Sequence, residues 1–403
     1  MDEGDLLDRP RKAELFSEVI TISGCPVRRV VGEFWTAGQR QASSIHEVSY
    51  RACFKPQLPA YFIKRFTSIS DIVYDPFSGR GTTIIEAALQ GRRVIANDIN
   101  PLSAILARPR LAIPEFADIA DRIKTIPYRT NLRADIDLSM FYELATESEI
   151  VSLRSYLKSR RDAGLEDQVD SWIRMIATNR LTGHSPGFFS VYTFPPNQAV
   201  SAASQIKINR QRGQKPEYRN TKAIMLKKTR QLLAGLTARE LENLRIAAKS
   251  AIFLTGSATK TDAIPNEAVS LTVTSPPFLD IVQYAEDNWL RCWFNDLPTE
   301  EIASQITMAK TLEAWCETMG RVYYELFRIT RGGGFVAFEV GEVRKGRVKL
   351  EEHVIPLGLR AGFNSEAVLI NDQKFTKTAN IWGISNNKAG TNSNRIVVFR
   401  KPV

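Results

Sequence analysis

A strand, a glycine-containing turn, a helix and a second strand follow one another within residues 71–109. "DIVYDPF" predicts a buried strand, "SGRGTT" the turn, "TTIIEAALQG" an amphipathic helix and "RRVIANDIN" the next strand. The two strands of such a unit run parallel in one sheet, and the helix covers a face of that sheet. The sequence therefore predicts an α/β fold with a mostly parallel, doubly wound sheet.

The same alternation of strands and helices resumes at residue 251. Strands are predicted for "SAIFLTG", "AVSLTVTS", "GGFVAFEVG" and "RIVVFRK", and helices for "YAEDNWLRCWF" and "EAWCETMGRVYYELFRIT". Residues 111–250 differ, because helical patterns there surround a loop-rich basic segment at 183–220. We interpret 1–110 and 251–403 as two halves of one α/β domain, and 111–250 as a mainly helical insertion.

The charge of the chain favours a polyanionic partner. The formal net charge is +10 and the isoelectric point lies near 9.4, although composition alone supports nucleic acid only weakly. The four cysteines and three histidines are scattered, which argues against a metal site or a disulfide framework. With no apolar run of membrane-spanning length and no signal peptide, we expect a soluble cytoplasmic protein without a membrane contact.

The turn "DPFSGRGTT" at 75–83 offers backbone N–H groups to a ligand at the start of a helix. A dinucleotide fingerprint would have a third glycine where Ile84 stands, and a phosphate-binding P-loop would have lysine where Thr82 follows Gly81. An acidic residue ends each strand, Asp75 before the turn and Asp98 after the helix. A carboxylate at the second strand end suits ribose hydroxyls, so S-adenosylmethionine fits better than a dinucleotide; a plain packing turn is the alternative.

The stretch "TVTSPPF" at 272–278 ends a second buried strand abruptly. Two prolines cannot donate to a sheet ladder, and they fix the direction of the carbonyl groups around them. The Ser275 hydroxyl and the carbonyl of Ser275 or Pro276 could orient an exocyclic amine on a nucleobase, and Phe278 could stack on that base. Strand ends of a parallel sheet share one edge, so this corner should face the glycine turn. The alternative is a turn that merely ends the strand.

Together these motifs resemble the S-adenosylmethionine-dependent amino-methyltransferases that act on DNA, and in particular their cytosine-N4 branch. "DPFSGRGTT" resembles the family's cofactor loop, "NDINPLS" its second motif, "FKPQLPAYFI" the segment before the loop, and "TSPPF" the catalytic tetrapeptide. The resemblance implies a Rossmann-like methyltransferase sheet. Its implied cofactor-binding residues are Phe54, Pro56, Asp75, Phe77, Gly79, Gly81, Thr82, Asp98, Ile99 and Ser257, and its implied catalytic residues are Ser275, Pro276, Pro277 and Phe278.

The resemblance implies methylation of the N4 amine of a flipped cytosine in double-stranded DNA, as in restriction-modification, with a possible cognate restriction endonuclease as partner. Adenine-N6 methylation of DNA, guanine-N2 methylation of RNA and a catalytically silent nucleic-acid-binding module remain alternatives. Basic side chains of the insertion are the candidates for DNA contacts, and a merely solvated basic surface is their alternative. These candidates are Lys207, Arg210, Arg212, Lys215 and Arg219.

Overall fold

The computed structural model describes residues 16–22, 24–35, 42–51, 53–194, 199–277, 284–305, 311–343, 348–372 and 393–403 of the 403-residue chain. Its strands are β1 Phe16–Ile22, β2 Cys25–Gly32, β3 Ile72–Asp75, β4 Arg93–Asp98, β5 Ile252–Thr255, β6 Val269–Thr274, β7 Thr330–Val340, β8 Glu342–Val343, β9 Val348–Lys349, β10 Asn364–Asp372 and β11 Ser393–Arg400. Its α-helices are α1 Gln57–Phe66, α2 Thr82–Leu89, α3 Leu102–Ala107, α4 Phe116–Thr125, α5 Leu144–Asp162, α6 Gln168–Arg180, α7 Ala202–Arg212, α8 Thr221–Leu233, α9 Ala238–Ser250, α10 Tyr284–Asn295, α11 Thr299–Gln305, α12 Leu312–Ile329 and α13 Leu350–Arg360.

The main sheet contains nine strands in the order β1-β2-β10-β11-β7-β6-β3-β4-β5. Five neighbouring strands, β7, β6, β3, β4 and β5, run parallel. β11 is inserted antiparallel between β7 and β10. The β1–β2 hairpin extends the sheet beyond β10. The predicted mostly parallel α/β sheet is therefore confirmed, and the chain order reverses between β3 and β6, where such folds place their ligands.

Side chains of the central strands alternate between two hydrophobic layers. On β3, Val73 packs into one cluster with α1, α2 and the insertion, while Tyr74 packs into a second cluster with α12 and α13. Every residue of β6 is buried, as expected for a parallel strand covered on both faces. This burial on both sides fixes the register of β3 against β6, with Val73 opposite Leu271.

The range 111–250 holds α4–α9, all of which lie between β4 and β5 in the chain. Arg122 of α4 ties these helices together, because its Nη2 and Nη1 lie 2.8 Å from Asp167 Oδ2 and 2.6 Å from Asp170 Oδ1. Helix α9 packs against α2 and β4, so the end of this range belongs structurally to the sheet. The assignment of target recognition to 111–250 stays a prediction.

The sequence interpretation missed one helix of the insertion. The segment 183–220, predicted as loop-rich, contains the helix α7. Ser201 begins this helix by accepting a hydrogen bond from the Ser204 N–H, and Gly213 ends it in a left-handed conformation. Gln205 is the one buried residue of α7, so the helix has no apolar stripe from which its period could be recognised.

A bilayer would need a longer and more apolar helix than any found in the part of the chain that the structure describes.

Candidate active site

The two sequence motifs meet at the ends of neighbouring strands. Asp75 ends β3 and Ser275 follows β6, and these strands are parallel and adjacent. The Thr274 hydroxyl donates to Asp75 Oδ1 over 2.6 Å, although the two residues are 199 positions apart in the chain. The Thr83 hydroxyl donates to the Val273 carbonyl over 3.0 Å. These bonds hold the glycine turn and the Ser-Pro-Pro corner against each other.

Both motifs line one cavity at this edge of the sheet. Ten of the residues predicted from the sequence lie on its wall: Phe54, Asp75, Phe77, Gly79, Thr82, Asp98, Ile99, Ser257, Ser275 and Pro277. Three others, Pro56, Gly81 and Pro276, are buried but are not part of the wall. Phe278 lies outside the described residues. The cavity therefore brings most of the predicted residues together, whatever their chemical roles.

The backbone conformation of Gly81 and its close neighbour Ala107 require a glycine at this position. Its φ of +78° is in the left-handed region, and a Cβ at this position would lie 2.6 Å from the Ala107 Cβ. Gly79 also has a positive φ, of 51°, and its N–H donates to Asp98 Oδ2 over 2.7 Å. The sharp path of the turn therefore lets the backbone reach the carboxylate at the end of β4.

Carboxyl groups with raised pKa values surround the cavity. Burial raises the pKa of Asp75 to about 7, against the lowering effect of hydrogen bonds from Thr274 and the Phe77 N–H. Burial likewise raises the pKa of Asp98 to about 6, against backbone hydrogen bonds that include Asn100 and Gly79. Because an anion buried without a cation is disfavoured, this edge of the sheet favours a positively charged ligand.

The lining of the cavity fits an adenosine-containing cation. Ser78 Oγ is buried and lacks a hydrogen-bond partner among the described residues, and Ser78 lines the cavity. Each oxygen of Asp98 accepts one N–H, from Asn100 or Gly79, and keeps capacity for a ribose hydroxyl. The rest of the wall includes apolar side chains that an adenine ring could pack against: Phe77, Ile99, Ala258, Met319 and Val322. These groups suit the adenosine and sulfonium of S-adenosylmethionine.

A buried glutamate beside Ser275 was missed by the sequence analysis. Glu339 is 7% exposed and lies near the end of β7. Burial raises its pKa to about 7, and hydrogen bonds from the Asn394 amide and the Ser275 hydroxyl act in the opposite direction. The signal was present in "GGFVAFEVG", since a carboxylate inside an otherwise apolar strand is unusual. A raised pKa inside a cleft is a frequent mark of a functional group.

Trp315 of α12 was also missed. Its indole N–H donates to the Pro277 carbonyl over 3.0 Å, and the side chain is 3% exposed. This bond holds the second proline of the corner to the wall of the cavity. The Ser275 hydroxyl and the carbonyl groups of Ser275 and Pro276 are the candidate acceptors that the sequence indicated.

The basic residues predicted to contact DNA lie on the surface of α7 and the loop after it. Lys207, Arg210, Arg212 and Lys215 are exposed, and Arg219 is half-buried. The Arg212 guanidinium lies 3.9 Å from the centre of the Tyr192 ring, and the Arg219 Nη2 lies 3.9 Å from Glu217 Oε2. None of the five lines the cavity, so contact with DNA would have to extend outward from the catalytic edge.

The strand order, with the acidic residues Asp75 and Asp98 at the ends of β3 and β4, defines a Rossmann-like methyltransferase fold. Residues 8–105 match a family model described as DNA methylase, which confirms the resemblance to the DNA amino-methyltransferases over that part of the chain.

Two curated relatives match shorter stretches. The chain is 40% identical over 62 residues to the type II methyltransferase M.MjaII of Methanocaldococcus jannaschii, covering 15% of this chain and 12% of the relative. It is 32% identical over 82 residues to the type II methyltransferase M.MvaI of Kocuria varians, covering 20% of this chain and 18% of that relative. A solved SAM-dependent methyltransferase from Methanosarcina mazei is 10% identical with a TM-score of 0.33, over 85% of this chain and 97% of that one. The matches to the curated relatives thus span less than a fifth of their length.

Proposed function

We propose that the protein is an S-adenosylmethionine-dependent DNA methyltransferase that modifies the N4 amine of cytosine. The observation that carries the proposal is the single cavity lined by both the glycine turn and the Ser-Pro-Pro corner. The family match at 8–105 supports DNA as the substrate, and the serine of "TSPPF" favours cytosine over adenine.

The cavity residues would hold the cofactor in an extended position. Asp98 would accept hydrogen bonds from the ribose hydroxyls, and Ser257 would lie near the adenine on the wall after β5. Asp75 would face the ammonium group and keep the turn in place through Thr274 and the Phe77 N–H. When bound, the cofactor supplies an electrophilic methyl group. Positioning of this group against the amine is the main catalytic requirement, because the transfer needs no covalent enzyme intermediate.

Ser275 and Glu339 would orient the amine and accept its proton. When Glu339 is ionised, the Ser275 hydroxyl donates its hydrogen to that carboxylate, so Ser275 Oγ can present only lone pairs to the amine N–H. An N–H bond directed at this oxygen turns the nitrogen lone pair away from the ring and toward the methyl carbon. The proton released after transfer then passes through the hydroxyl to Glu339, whose pKa of about 7 suits a base at neutral pH.

The target base must leave the duplex to reach this cavity. Extrusion costs a few kcal/mol, which stacking and polar contacts in the active site offset. The exposed basic side chains of α7 and its following loop would bind the phosphate backbone of the same DNA. Their surface position suits backbone contacts, which fix the protein on the duplex without requiring a pocket.

Mass spectrometry of nucleosides tests the reaction directly. Duplex DNA incubated with the protein and a cofactor carrying an isotope-labelled methyl group should yield labelled N4-methyldeoxycytidine. Labelled N6-methyldeoxyadenosine would contradict the choice of base, and labelled N2-methylguanosine from RNA would contradict DNA as substrate. If no nucleoside is labelled and calorimetry detects no cofactor binding, the alternative of a catalytically silent nucleic-acid-binding module would be supported.

DNA affinity should fall steeply with salt. In a plot of the logarithm of the binding constant against the logarithm of the salt concentration, each phosphate contact adds about −0.9 to the slope. Single replacement of Lys207, Arg210 or Lys215 by alanine should remove one phosphate contact and so make the slope less steep by about one. Fluorescence anisotropy with a labelled duplex measures this slope. The control is Lys124→Ala on α4, an exposed lysine paired with Asp121, and equal slopes in all variants would refute the assigned surface.

A further inference from the structure

Arg80 is a cation on the wall of the cavity that the proposed mechanism does not use. It lies between the two glycines of the turn, and it lines the cavity with Tyr50 and Cys53. Its Nε donates to Thr82 Oγ1 over 3.1 Å and its Nη1 to the Val48 carbonyl over 2.9 Å. These bonds use two of the five N–H groups of a guanidinium. Within the described ranges, no carboxylate forms an ion pair with it.

A second arginine makes this corner of the cavity more positive. Arg110 is fully buried and donates to the carbonyl of Arg80, to Leu106 O over 2.9 Å and to Ile45 O over 3.2 Å. Burial lowers its pKa to about 9, and the charge of Arg80 adds to that effect. Two guanidinium groups thus adjoin one loop, and among the described residues no carboxylate forms an ion pair with either of them. Such a corner favours an anion.

The cavity wall carries both an acidic residue, Asp98, and a basic residue, Arg80, next to the glycine turn. Asp98 bonds the Gly79 N–H, and Arg80 is the next residue. A ligand whose ribose lies at Asp98 therefore shares its cavity with the Arg80 side chain. The acidic edge at Asp75 and the basic corner at Arg80 together match a zwitterion, with one ammonium and one carboxylate group.

We propose that Arg80 binds the carboxylate of the cofactor's amino-acid portion, and this rests on the proposed use of S-adenosylmethionine. The Thr82 hydroxyl assists, because its oxygen accepts from Arg80 Nε and its hydrogen remains available to the same carboxylate. A guanidinium presents parallel N–H groups that match the two oxygens of a carboxylate. Arg80 thereby selects cofactors with an intact amino acid over truncated nucleosides.

A matched pair of ligands separates this role from a structural one. S-adenosylhomocysteine carries the carboxylate, whereas 5′-methylthioadenosine shares the adenosine and thioether but lacks the whole amino-acid group. Arg80→Ala should weaken S-adenosylhomocysteine binding in calorimetry by about tenfold or more, and 5′-methylthioadenosine binding by less than about twofold. Arg80→Lys keeps the positive charge but loses the paired N–H groups of the guanidinium. Its affinity for S-adenosylhomocysteine should lie between those of the wild type and Arg80→Ala. Arg93→Ala, which removes an exposed arginine at the start of β4, is the control and should change neither affinity.

Three results would overturn the proposal. Equal weakening of both ligands by Arg80→Ala would show that the side chain only supports the turn. Unchanged affinity for both ligands would remove Arg80 from cofactor binding. Unchanged ligand affinity with weaker DNA binding would assign Arg80 to a phosphate of the substrate instead. Failure of the unmodified protein to bind either ligand would contradict the proposed cofactor itself, which is a different outcome from these.

Discussion

Replacing Ser275 by alanine should lower the rate of methyl transfer by about a hundredfold or more, because under the proposed mechanism the amine loses the acceptor that directs its lone pair. The affinity for the cofactor should stay within about twofold, since one hydroxyl of a wide cavity wall is removed and no ribose or ammonium contact is lost. Single-turnover kinetics with labelled cofactor measure the rate, and calorimetry measures the affinity.

The control for this variant is Ser270→Ala, which removes a buried hydroxyl at the other end of the same strand. It should leave the rate unchanged. If Ser275→Ala transfers methyl groups as fast as the unmodified protein, Ser275 has no part in the mechanism and the acceptor must be a backbone carbonyl of the corner.

Replacing Glu339 by glutamine should lower the transfer rate by about tenfold to a hundredfold and remove its dependence on pH near neutrality. The pKa of Glu339 is raised to about 7, and the proposed mechanism requires its ionised form. The rate of the unmodified protein should therefore increase as the pH rises through about 7 and level off above it. Glutamine can still accept from Ser275 but cannot take up a proton, so the variant should show a flat profile.

Transfer rates measured from about pH 6 to 8.5 reveal the difference. Glu352→Gln on α13, which changes an exposed carboxylate in the same part of the fold, should keep the rising profile. A rising profile that persists in Glu339→Gln would assign the titration to another group, such as Asp75, whose pKa is also raised to about 7.

The central sheet could be predicted because its strands carry strong local signals. β3, β4 and β6 are short apolar runs that end at an acidic residue or at prolines, and α2 begins after a glycine. The hairpin of β1 and β2 carries no such signal: its burial pattern is mixed, with polar residues such as Ser17 and Glu18 on an edge strand. β1 at the edge pairs with β2, and β2 pairs with the distant strand β10. Single-sequence patterns do not contain such long-range pairing.

The candidate site was predictable where it depends on local motifs and was missed where it depends on strand register. Thr274 of β6 pairs with Phe338 of β7, and this register brings Ser275 next to Glu339. The contact joins residues far apart in the chain, so neither motif indicates it. Trp315 was missed for the same reason, because its bond to Pro277 depends on how α12 packs under the corner. Local chemistry indicated Ser275 as the proposed acceptor, and the tertiary structure places Glu339 beside it.

The hydrogen bonds between Thr274 and Asp75 and between Thr83 and Val273 have a consequence for fidelity. They join the glycine turn to the Ser-Pro-Pro corner within the sheet itself, so no closing motion is needed to bring Asp75 and Ser275 to the same edge. A site held together in this way does not need a correct DNA sequence to bring these two groups together. Under the proposed function, we therefore expect discrimination between DNA sites to act before methyl transfer, in the free energy of drawing one base out of its stack.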